Sequence, residues 1–296
     1  MSMGERVGFI GLGIMGRPMA RNLLAAGFPL TVHSRGAGPV DELVAEGATR
    51  GEDPAGVAAS SDVVITMLPD TSDVEAVLLG PGGVLEGAQP GSIVIDMSSI
   101  DPAPTRAMHA ALAARDVAML DAPVSGGEKG AIDGALSIMV GGDEAVLARV
   151  RPILEALGTT IVHVGPSGSG QVCKACNQLV VAATIEAVAE ALLLAERSGV
   201  DGARVREALL GGFAGSKILE VHGQRMLDDG FDPGFRIRLH RKDARIVEEA
   251  AAATRTPIPS FSIVAEQLQK AVDAGDGDRD HAALFAELVR EARSAT

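Results

Sequence analysis

Short apolar runs alternate with longer amphipathic segments over the first 165 residues of this chain. Continuous apolar runs are typical of strands that are covered on both faces, and the intervening segments have helical spacing. The runs lie at Val7–Ile10, Leu30–Val32, Val63–Met67, Ser92–Asp96, Ala118–Asp121, Leu136–Val140 and Thr160–Val164. The helical segments include Arg17–Ala26, Asp73–Leu79, Thr105–Arg115 and Glu144–Leu157. This alternation predicts an α/β fold with a doubly wound, mostly parallel sheet.

The pattern changes after a stretch rich in glycine and serine at residues 165–170. Gln171–Ser198 contains neither Gly nor Pro, which predicts one helix of roughly 42 Å. No convincing strand follows. The later helical segments are Gly202–Gly211, Ser216–Asp228, Lys242–Thr254, Ser260–Ala274 and His281–Ser294. We therefore predict two domains, an α/β domain at residues 1–165 and an all-helical domain at residues 166–296, joined by the long helix.

Composition and charge narrow the class of protein. Of the 296 residues 47% are apolar, which is too many for a disordered chain, and no uncharged apolar run reaches 18 residues. The first predicted strand begins within a few residues of Met1, so we expect no secretory leader and a cytoplasmic protein. A net charge of −13 argues against nucleic acid and anionic membranes as partners.

The two cysteines, Cys173 and Cys176, form a C-x-x-C pair on the predicted long helix. Such a pair can be redox-active or can bind a metal. Small thiols also pack at neighbouring helical positions, and the sequence offers no second pair of ligands. We therefore expect no metal site, and reduced thiols fit a cytoplasmic protein.

The first predicted strand runs directly into three glycines spaced G-x-G-x-x-G. In a dinucleotide site the first glycine allows a tight turn, the second lets the pyrophosphate approach the backbone, and the third lets helix and strand pack closely. The N-terminus of the following helix adds free N–H groups for the anion. The candidate pyrophosphate-binding residues are Gly11, Leu12, Gly13, Ile14, Met15 and Gly16. A glycine-rich turn without a ligand is the alternative interpretation.

The second predicted strand ends in His33-Ser34-Arg35, without the acidic residue that NAD sites usually place there. Arg35 can pair with a 2′-phosphate and Ser34 can donate to it. We therefore predict that NADP is preferred and that NAD is possible. The alternative is that Arg35 is only a solvated loop residue.

Two further sets of residues can carry chemistry. Ser125-Gly126-Gly127 follows the fifth predicted strand, where a hydroxyl and backbone N–H groups can converge on a carboxylate. Lys174 and Asn177 lie three residues apart near the start of the long helix, so they share a face, and a desolvated lysine can act as a general acid. An ordinary turn and a solvated surface lysine are the alternatives.

Five motifs together resemble the β-hydroxyacid dehydrogenase family over the whole chain. They are "GFIGLGIMGRPMARNLLAAGF", "DMSSIDP", "DAPVSGGEKGAIDGALSIMVGGD", "GSGQVCKACNQ" and "FDPGFRIRLHRKD". The resemblance implies a Rossmann-type NADP-binding domain. It also implies an all-helical domain that carries the catalytic lysine and forms a homodimer or homotetramer.

The resemblance also implies roles for individual residues. Lys174 would polarise the carbonyl group and deliver a proton to the oxygen. The Ser125-Gly126-Gly127 loop would hold the substrate carboxylate, assisted by Asn177. On the cofactor side the resemblance implies contacts from Leu68, Pro69, Asp73, Ser99 and Lys242.

Within the family, the chain resembles the tartronate semialdehyde (2-hydroxy-3-oxopropionate) reductases. Gln178 after Asn177 and the segments "GGFAGSKIL" and "PGFRIRLHRKD" carry this likeness. The implied reaction is reduction of the aldehyde to D-glycerate with NADPH. Alternatives within the family are 3-hydroxyisobutyrate or a short semialdehyde such as succinic semialdehyde. Imine reduction is disfavoured because those relatives usually replace the lysine. The alternative of another class is a cofactor-binding sensor or scaffold without turnover.

Overall fold

The structure is a computed structural model that describes residues 4–294. Its contacts divide the chain into two units, Met1–Lys174 and Ala175–Thr296. The strands of the first unit are β1 (Val7–Ile10), β2 (Leu30–His33), β3 (Thr49–Arg50), β4 (Val63–Thr66), β5 (Ile93–Asp96), β6 (Ala118–Asp121), β7 (Val124–Ser125), β8 (Leu136–Gly141) and β9 (Gly158–Gly165).

The strands form one sheet in the order β3-β2-β1-β4-β5-β6-β8-β7, with β9 paired to β8. All pairs from β3 to β6 are parallel, which confirms the predicted mostly parallel sheet. β8 meets β6 and β7 in antiparallel orientation and β9 in parallel orientation. The two-residue strands β3 and β7 escaped prediction because they are too short to show an apolar run.

Helices cover both faces of this sheet. They are α1 (Gly16–Ala25), α2 (Ala37–Ala45), α3 (Pro54–Ala59), α4 (Thr71–Leu79), α5 (Val84–Gly87), α6 (Pro102–Ala113), α7 (Gly127–Ile132) and α8 (Glu144–Glu155). Successive residues of a strand point to opposite faces. Accordingly Phe9 and Ile65 belong to one apolar core, whereas their neighbours Ile10 and Val64 belong to another. The continuous apolar runs of the sequence follow from this double covering.

The second unit is helical. Its elements are α9 (Ser169–Arg197, which begins in the first unit), α10 (Gly202–Leu210), α11 (Lys217–Leu227), α12 (Ile237–Thr254), α13 (Pro259–Ala271), a π-helical segment at Val272–Asp276, a 3₁₀ turn at His281–Ala283 and α14 (Leu284–Ser294). Among the described residues the only strand-like pairing in this unit is an isolated bridge between Arg236 and Asp280. The predicted all-helical second half is therefore confirmed.

The long helix α9 supplies the core of the second unit. By length and composition it is apolar enough to cross a membrane. Its residues Ala182, Ile185, Ala189 and Leu192 recur at intervals of three and four and are buried in that core. This is the burial pattern of the core helix of a soluble domain. The predicted boundary after residue 165 coincides with the end of β9, whereas the contacts divide within α9, so the boundary remains a prediction.

Candidate active site

The three glycines after β1 have the geometry that a bound pyrophosphate requires. Gly11 has φ +103°, and a Cβ there would lie 2.3 Å from the carbonyl oxygen of Met67. A Cβ at Gly16 would lie 1.9 Å from the carbonyl oxygen of Gly11, whereas nothing lies within 4 Å of the Cβ position of Gly13. No side chain in the described structure caps the N-terminus of α1. The space beside Gly13 and the N-terminus of α1 therefore fit a dinucleotide phosphate.

A positive and a negative side chain lie close together at the end of β2. The Ser34 hydroxyl lies 3.5 Å from the backbone nitrogen of Leu12, which donates to it. The Arg35 side chain is 85% exposed, and its guanidinium lies 3.7 Å from the Asp73 carboxylate in the first turn of α4. The sequence indicated no acid at this tip because the acid comes from a different element. This corner therefore offers a cation for a phosphate and an acceptor for a ribose hydroxyl.

The loops after β1, β4, β5 and β6 lie at one edge of the sheet, because Ile10, Thr66, Asp96 and Asp121 are in register. After β4, the backbone nitrogen of Leu68 donates to the Ser98 hydroxyl at 2.9 Å. Pro69 is exposed, and Ser99 after β5 is half-buried. This is the edge at which an open parallel sheet binds ligands.

Two buried carboxylates end the central strands. Asp96 accepts hydrogen bonds from the Thr66 hydroxyl at 2.8 Å and from the Ser98 backbone nitrogen at 3.3 Å. Burial raises the pKa of Asp96 to about 6. Burial also raises the pKa of Asp121, although backbone N–H donors from Gly168 and Gln171 oppose this effect. In the sequence, Asp96 and Asp121 stand out only as acids that end apolar strands, and this is the signal that could have marked them.

Lys174 is 9% exposed and lies in the second turn of α9. The helix begins beside Asp121, whose carboxylate accepts hydrogen bonds from the backbone nitrogens of Gly168 and Gln171. The lysine is therefore a buried cation on a helix with a fixed start, unlike a solvated surface lysine.

The predicted carboxylate loop, Ser125-Gly126-Gly127, runs from the end of β7 into the first residue of α7. Gly126 has φ +135° and Gly127 has φ +63°, which are conformations that side chains rarely adopt. Ser125 is half-buried, and nothing lies within 4 Å of the Cβ position of Gly127. The backbone of this loop is therefore accessible to a small ligand.

In the second unit, a hydrogen-bonded chain joins α9 to α12. The Asn177 amide donates to the Gln178 side-chain oxygen at 2.7 Å, and the Gln178 amide donates to Asp243 at 2.5 Å. The Lys242 ammonium lies 2.8 Å from the other oxygen of Asp243. The sequence pointed to Asn177 and Lys242, and the structure links them through the buried Gln178 and Asp243.

One other group of described residues has metal-ligating atoms close together, namely His222, Asp280 and His281. Asp280 already pairs with Arg225 at 2.9 Å and accepts from the backbone nitrogens of Gly234 and Phe235. His222 presents Nδ1 to Asp280 and Nε2 to His281, so its two partners lie at different nitrogens. These contacts connect α11 to the 3₁₀ turn at His281–Ala283. The expectation of no metal remains a prediction.

Comparison with known protein families gives two matches that cover most of the chain. The model of the NAD-binding domain of 6-phosphogluconate dehydrogenase matches residues 6–165. The model of the NAD-binding domain of NADP-dependent 3-hydroxyisobutyrate dehydrogenase matches residues 168–288. The two matches together describe a nicotinamide-dependent dehydrogenase from one end of the described chain almost to the other.

Individual proteins that are similar to this chain are also dehydrogenases or reductases. The chain is 48% identical to a 2-hydroxy-3-oxopropionate reductase of Escherichia coli over 96% of this chain and 97% of that protein. It is 38% identical to an NAD-dependent L-serine dehydrogenase of Pseudomonas aeruginosa, over 93% and 95% of the two chains. A solved structure of a 3-hydroxyisobutyrate dehydrogenase of Mycobacterium tuberculosis with L-serine has a TM-score of 0.88 and 35% identity, over 97% of this chain and 99% of that one.

Proposed function

This chain belongs to the β-hydroxyacid dehydrogenase family, and on that premise we propose that it reduces tartronate semialdehyde to D-glycerate with NADPH. It is an NAD(P)-dependent oxidoreductase that acts on CH–OH groups. The observation that carries the choice of substrate is the similarity to the Escherichia coli reductase along nearly the entire chain. The order of Lys174, Asn177 and Gln178 resembles that of the tartronate semialdehyde reductases.

The nicotinamide cofactor, when bound, supplies the hydride that reduces the aldehyde carbon. The protein supplies orientation and a proton. Lys174 donates a hydrogen bond to the aldehyde oxygen, which polarises the carbonyl group, and then gives a proton to that oxygen as it becomes an alcohol. A buried ammonium suits this role, because its charge is not screened by water as it would be at the surface.

The substrate carboxylate is held by the Ser125 hydroxyl and by the backbone N–H groups of Gly126 and Gly127, with Asn177 as a further donor. Both glycines have positive φ angles and no side chain, and the Cβ position of Gly127 is open, which leaves the backbone of the loop accessible to a carboxylate. A carboxylate held at one end fixes the distance from the aldehyde carbon to Lys174. Short acids that carry an aldehyde therefore react, whereas plain aldehydes lack the anchor.

The cofactor is held by the glycine turn, by Leu68, Pro69 and Ser99 beside the nicotinamide, and by Lys242 from α12. The Lys242 ammonium group pairs with the adjacent Asp243, which holds the end of the lysine side chain. At the adenosine end Ser34 and Arg35 bind the 2′-phosphate, and the nearby Asp73 offers an acceptor to a ribose hydroxyl. NADPH is therefore preferred over NADH by a modest factor.

A second candidate function is oxidation of 3-hydroxyisobutyrate or L-serine, or reduction of another short semialdehyde. The Pseudomonas relative and the Mycobacterium structure favour it, because their names or ligands include these compounds. The chemistry is shared, and a pocket distinguishes substrates that differ by one methyl group by only about 10- to 200-fold. We further propose a cytoplasmic homodimer or homotetramer, with residues 1–165 as the cofactor domain.

The test is a steady-state assay that follows the near-ultraviolet absorbance of reduced nicotinamide. The panel contains tartronate semialdehyde, succinic semialdehyde and methylmalonate semialdehyde for reduction, and L-serine and 3-hydroxyisobutyrate for oxidation. We expect the highest kcat/KM for tartronate semialdehyde. A higher value for any other compound would replace the proposed substrate, and no turnover with the entire panel would favour a binding protein.

Lys174→Ala is the variant that tests the mechanism. We expect a decrease in kcat of about 100-fold or more, the magnitude typical of losing a general acid, with NADPH affinity unchanged. Lys129→Ala is the matched control, because Lys129 is an exposed lysine of the same unit that pairs with Asp133, the residue that follows α7. Turnover of Lys174→Ala at the level of the native protein would contradict the assigned role.

A further inference from the structure

The N-terminus of α9 is capped by a residue that is distant in the sequence. The first N–H groups of a helix have no partner within the helix, and a side chain just before the helix usually accepts them. Here Asp121 at the end of β6 does so. Its Oδ1 accepts from the Gly168 nitrogen at 2.7 Å, and its Oδ2 accepts from the Gln171 nitrogen at 3.0 Å. The start of α9 is therefore attached to the sheet by a buried carboxylate, which also interacts favourably with the helix dipole.

Glycines bring the same turn into backbone contact with two strands. A Cβ at Gly170 would lie 2.4 Å from the carbonyl oxygens of Asp121 and Met139. A Cβ at Gly141 in β8 would lie 2.6 Å from the Asp121 carboxylate and 2.7 Å from the Gly170 nitrogen. Because no larger residue fits without displacement of the backbone, these contacts fix the position of α9 along its own axis.

Gln171, whose backbone nitrogen donates to Asp121, is also attached to the sheet through its side chain. It is 1% exposed, its amide donates to the Ser98 carbonyl oxygen at 2.9 Å, and its oxygen accepts from the Ile100 nitrogen at 3.1 Å. Both partners belong to the loop after β5. Residue 171 is therefore held by β6 through its backbone and by the β5 loop through its side chain. Two attachments from different directions prevent the helix from rolling about its axis.

The orientation of α9 matters because Lys174 follows Gln171 by three residues. Its Cα lies roughly 4.5 Å further along the axis and about 60° around it from that of Gln171. A roll of about 10° moves a group at roughly 8 Å from the axis by about 1.4 Å. Misplacement of a reacting group by about 1 Å can decrease turnover about 100-fold. A small change at residue 171 is thus amplified at the ammonium group.

We infer that Asp121 and Gln171 are positioning residues that fix the rotation of α9 and so place the ammonium group of Lys174 at the reacting carbonyl. This inference rests on the proposed role of Lys174 and deepens it. Neither residue donates the proton. Their contribution is to hold one buried turn in register with the ends of β5, β6 and β8.

Gln171→Met tests the inference with little change in side-chain length. Methionine cannot donate to the Ser98 carbonyl group or accept from the Ile100 nitrogen, so the side-chain attachment is lost and the cap by Asp121 is kept. We expect kcat to fall about 30-fold or more. The dissociation constant for NADPH should change much less than kcat, since the glycine turn is untouched and only the loop that carries Ser99 loses an attachment.

Asp121→Asn is the second variant and tests the other attachment. The asparagine amide has one oxygen that can accept a hydrogen bond. Its NH₂ group would therefore face one of the two backbone N–H groups, those of Gly168 and Gln171, and that hydrogen bond would be lost. We expect a similar fall in kcat. Asp143→Ala is the matched control, because Asp143 caps α8 by accepting from the backbone nitrogens of Ala145 and Val146 and lies outside the proposed machinery. It should lower the melting temperature and leave kcat unchanged.

A double-mutant cycle separates positioning from general stability. If Gln171 acts through Lys174, adding Gln171→Met to Lys174→Ala should change kcat by no more than about twofold. An equal loss in both backgrounds would mean that Gln171 only stabilises the fold and would overturn the inference. So would native kcat in Gln171→Met and Asp121→Asn while Lys174→Ala is inactive, a result that leaves the proposed function standing. Native turnover in Lys174→Ala would instead refute the proposed function itself.

Discussion

In the proposed cofactor site, Arg35 and Asp73 place opposite charges beside the same part of the ligand. The arginine is exposed at the tip of β2, and the aspartate reaches it from α4 at 3.7 Å. A 2′-phosphate bound there would be attracted by the guanidinium of Arg35 and repelled by the carboxylate of Asp73. Solvent screening weakens both effects at an exposed site. The balance explains why we expect a modest preference for NADPH and not an absolute one.

The cofactor preference can be shifted in both directions. Arg35→Asp should favour NADH, because it repels the phosphate and adds an acceptor for ribose. Asp73→Asn should increase the preference for NADPH, since the arginine loses its neutralising partner. We expect shifts of about 5- to 10-fold in the ratio of kcat/KM values, corresponding to about 1 kcal/mol.

Steady-state kinetics with both cofactors measure these ratios. Arg115→Asp is the control, because Arg115 is an exposed arginine before β6 and the substitution changes the net charge equally. An unchanged ratio in Arg35→Asp would show that Arg35 is a solvated loop residue without a role in binding.

Glu186 is a buried acid whose charge opposes folding. It is 4% exposed in α9, and burial, with Glu190 and Glu291 nearby, raises its pKa to about 7. In the unfolded chain the pKa is near 4.5, so between about pH 4.5 and 7 the native state binds more protons than the unfolded state. The free energy of unfolding therefore decreases as pH rises through this window, by at most about 3 kcal/mol from this residue.

Glu186→Gln should remove that loss, because the amide stays neutral at all pH values. We expect the variant to be more stable than the native protein at pH 8 and similar to it at pH 4.5. Denaturant unfolding at the two pH values measures the difference. Glu196→Gln, an exposed position of the same helix, should have little effect at either pH. Equal effects of Glu186→Gln at both pH values would show that its charge is not the cause.

Among the elements, the loop from β7 to α7 depends most on backbone conformation. Val124–Ser125 pairs with β8, and the next two residues both have positive φ. A β-branched residue is strained in this region, and its side chain would cover the backbone donors. A single substitution at either glycine should therefore impair the proposed function of this loop, whereas the surrounding strands should tolerate single substitutions better.

Gly126→Val should raise KM for carboxylated aldehydes about 10-fold or more, because one lost charge-assisted hydrogen bond costs about 1.5–3 kcal/mol. The affinity for NADPH should not change. Gly91→Val is the control, since Gly91 also has positive φ, at +85°, with nothing near its Cβ position, and precedes β5 at the opposite edge of the sheet. Reduction of a non-carboxylated aldehyde of equal length as efficiently as tartronate semialdehyde would contradict the role of the loop.

At the scale of the whole molecule, the two units have different kinds of apolar core. The first unit buries both faces of a sheet, so its strands are apolar throughout and its polar residues gather at the strand ends. The second unit buries one side of its long helix, which gives apolar residues at intervals of three and four. The matches to family models change at residues 165–168, a few residues before the contacts of the structure divide within α9.

The sequence by itself determined whatever depends on neighbouring residues. Apolar runs gave the central strands, helical spacing gave the long helix, and G-x-G-x-x-G gave the turn at Gly11, because each reflects the conformation of a few consecutive residues. Local order also placed Lys174 and Asn177 on one helical face.

Only the tertiary structure decided which distant residues meet. Asp121 and Gln171 are 50 positions apart, and Gln178 and Asp243 are 65 apart. Arg35 meets an acid from α4 that the sequence around β2 does not contain. The two buried pairs form because burial leaves each polar group to find a partner among the side chains that packing brings near it, and packing is a property of the complete core.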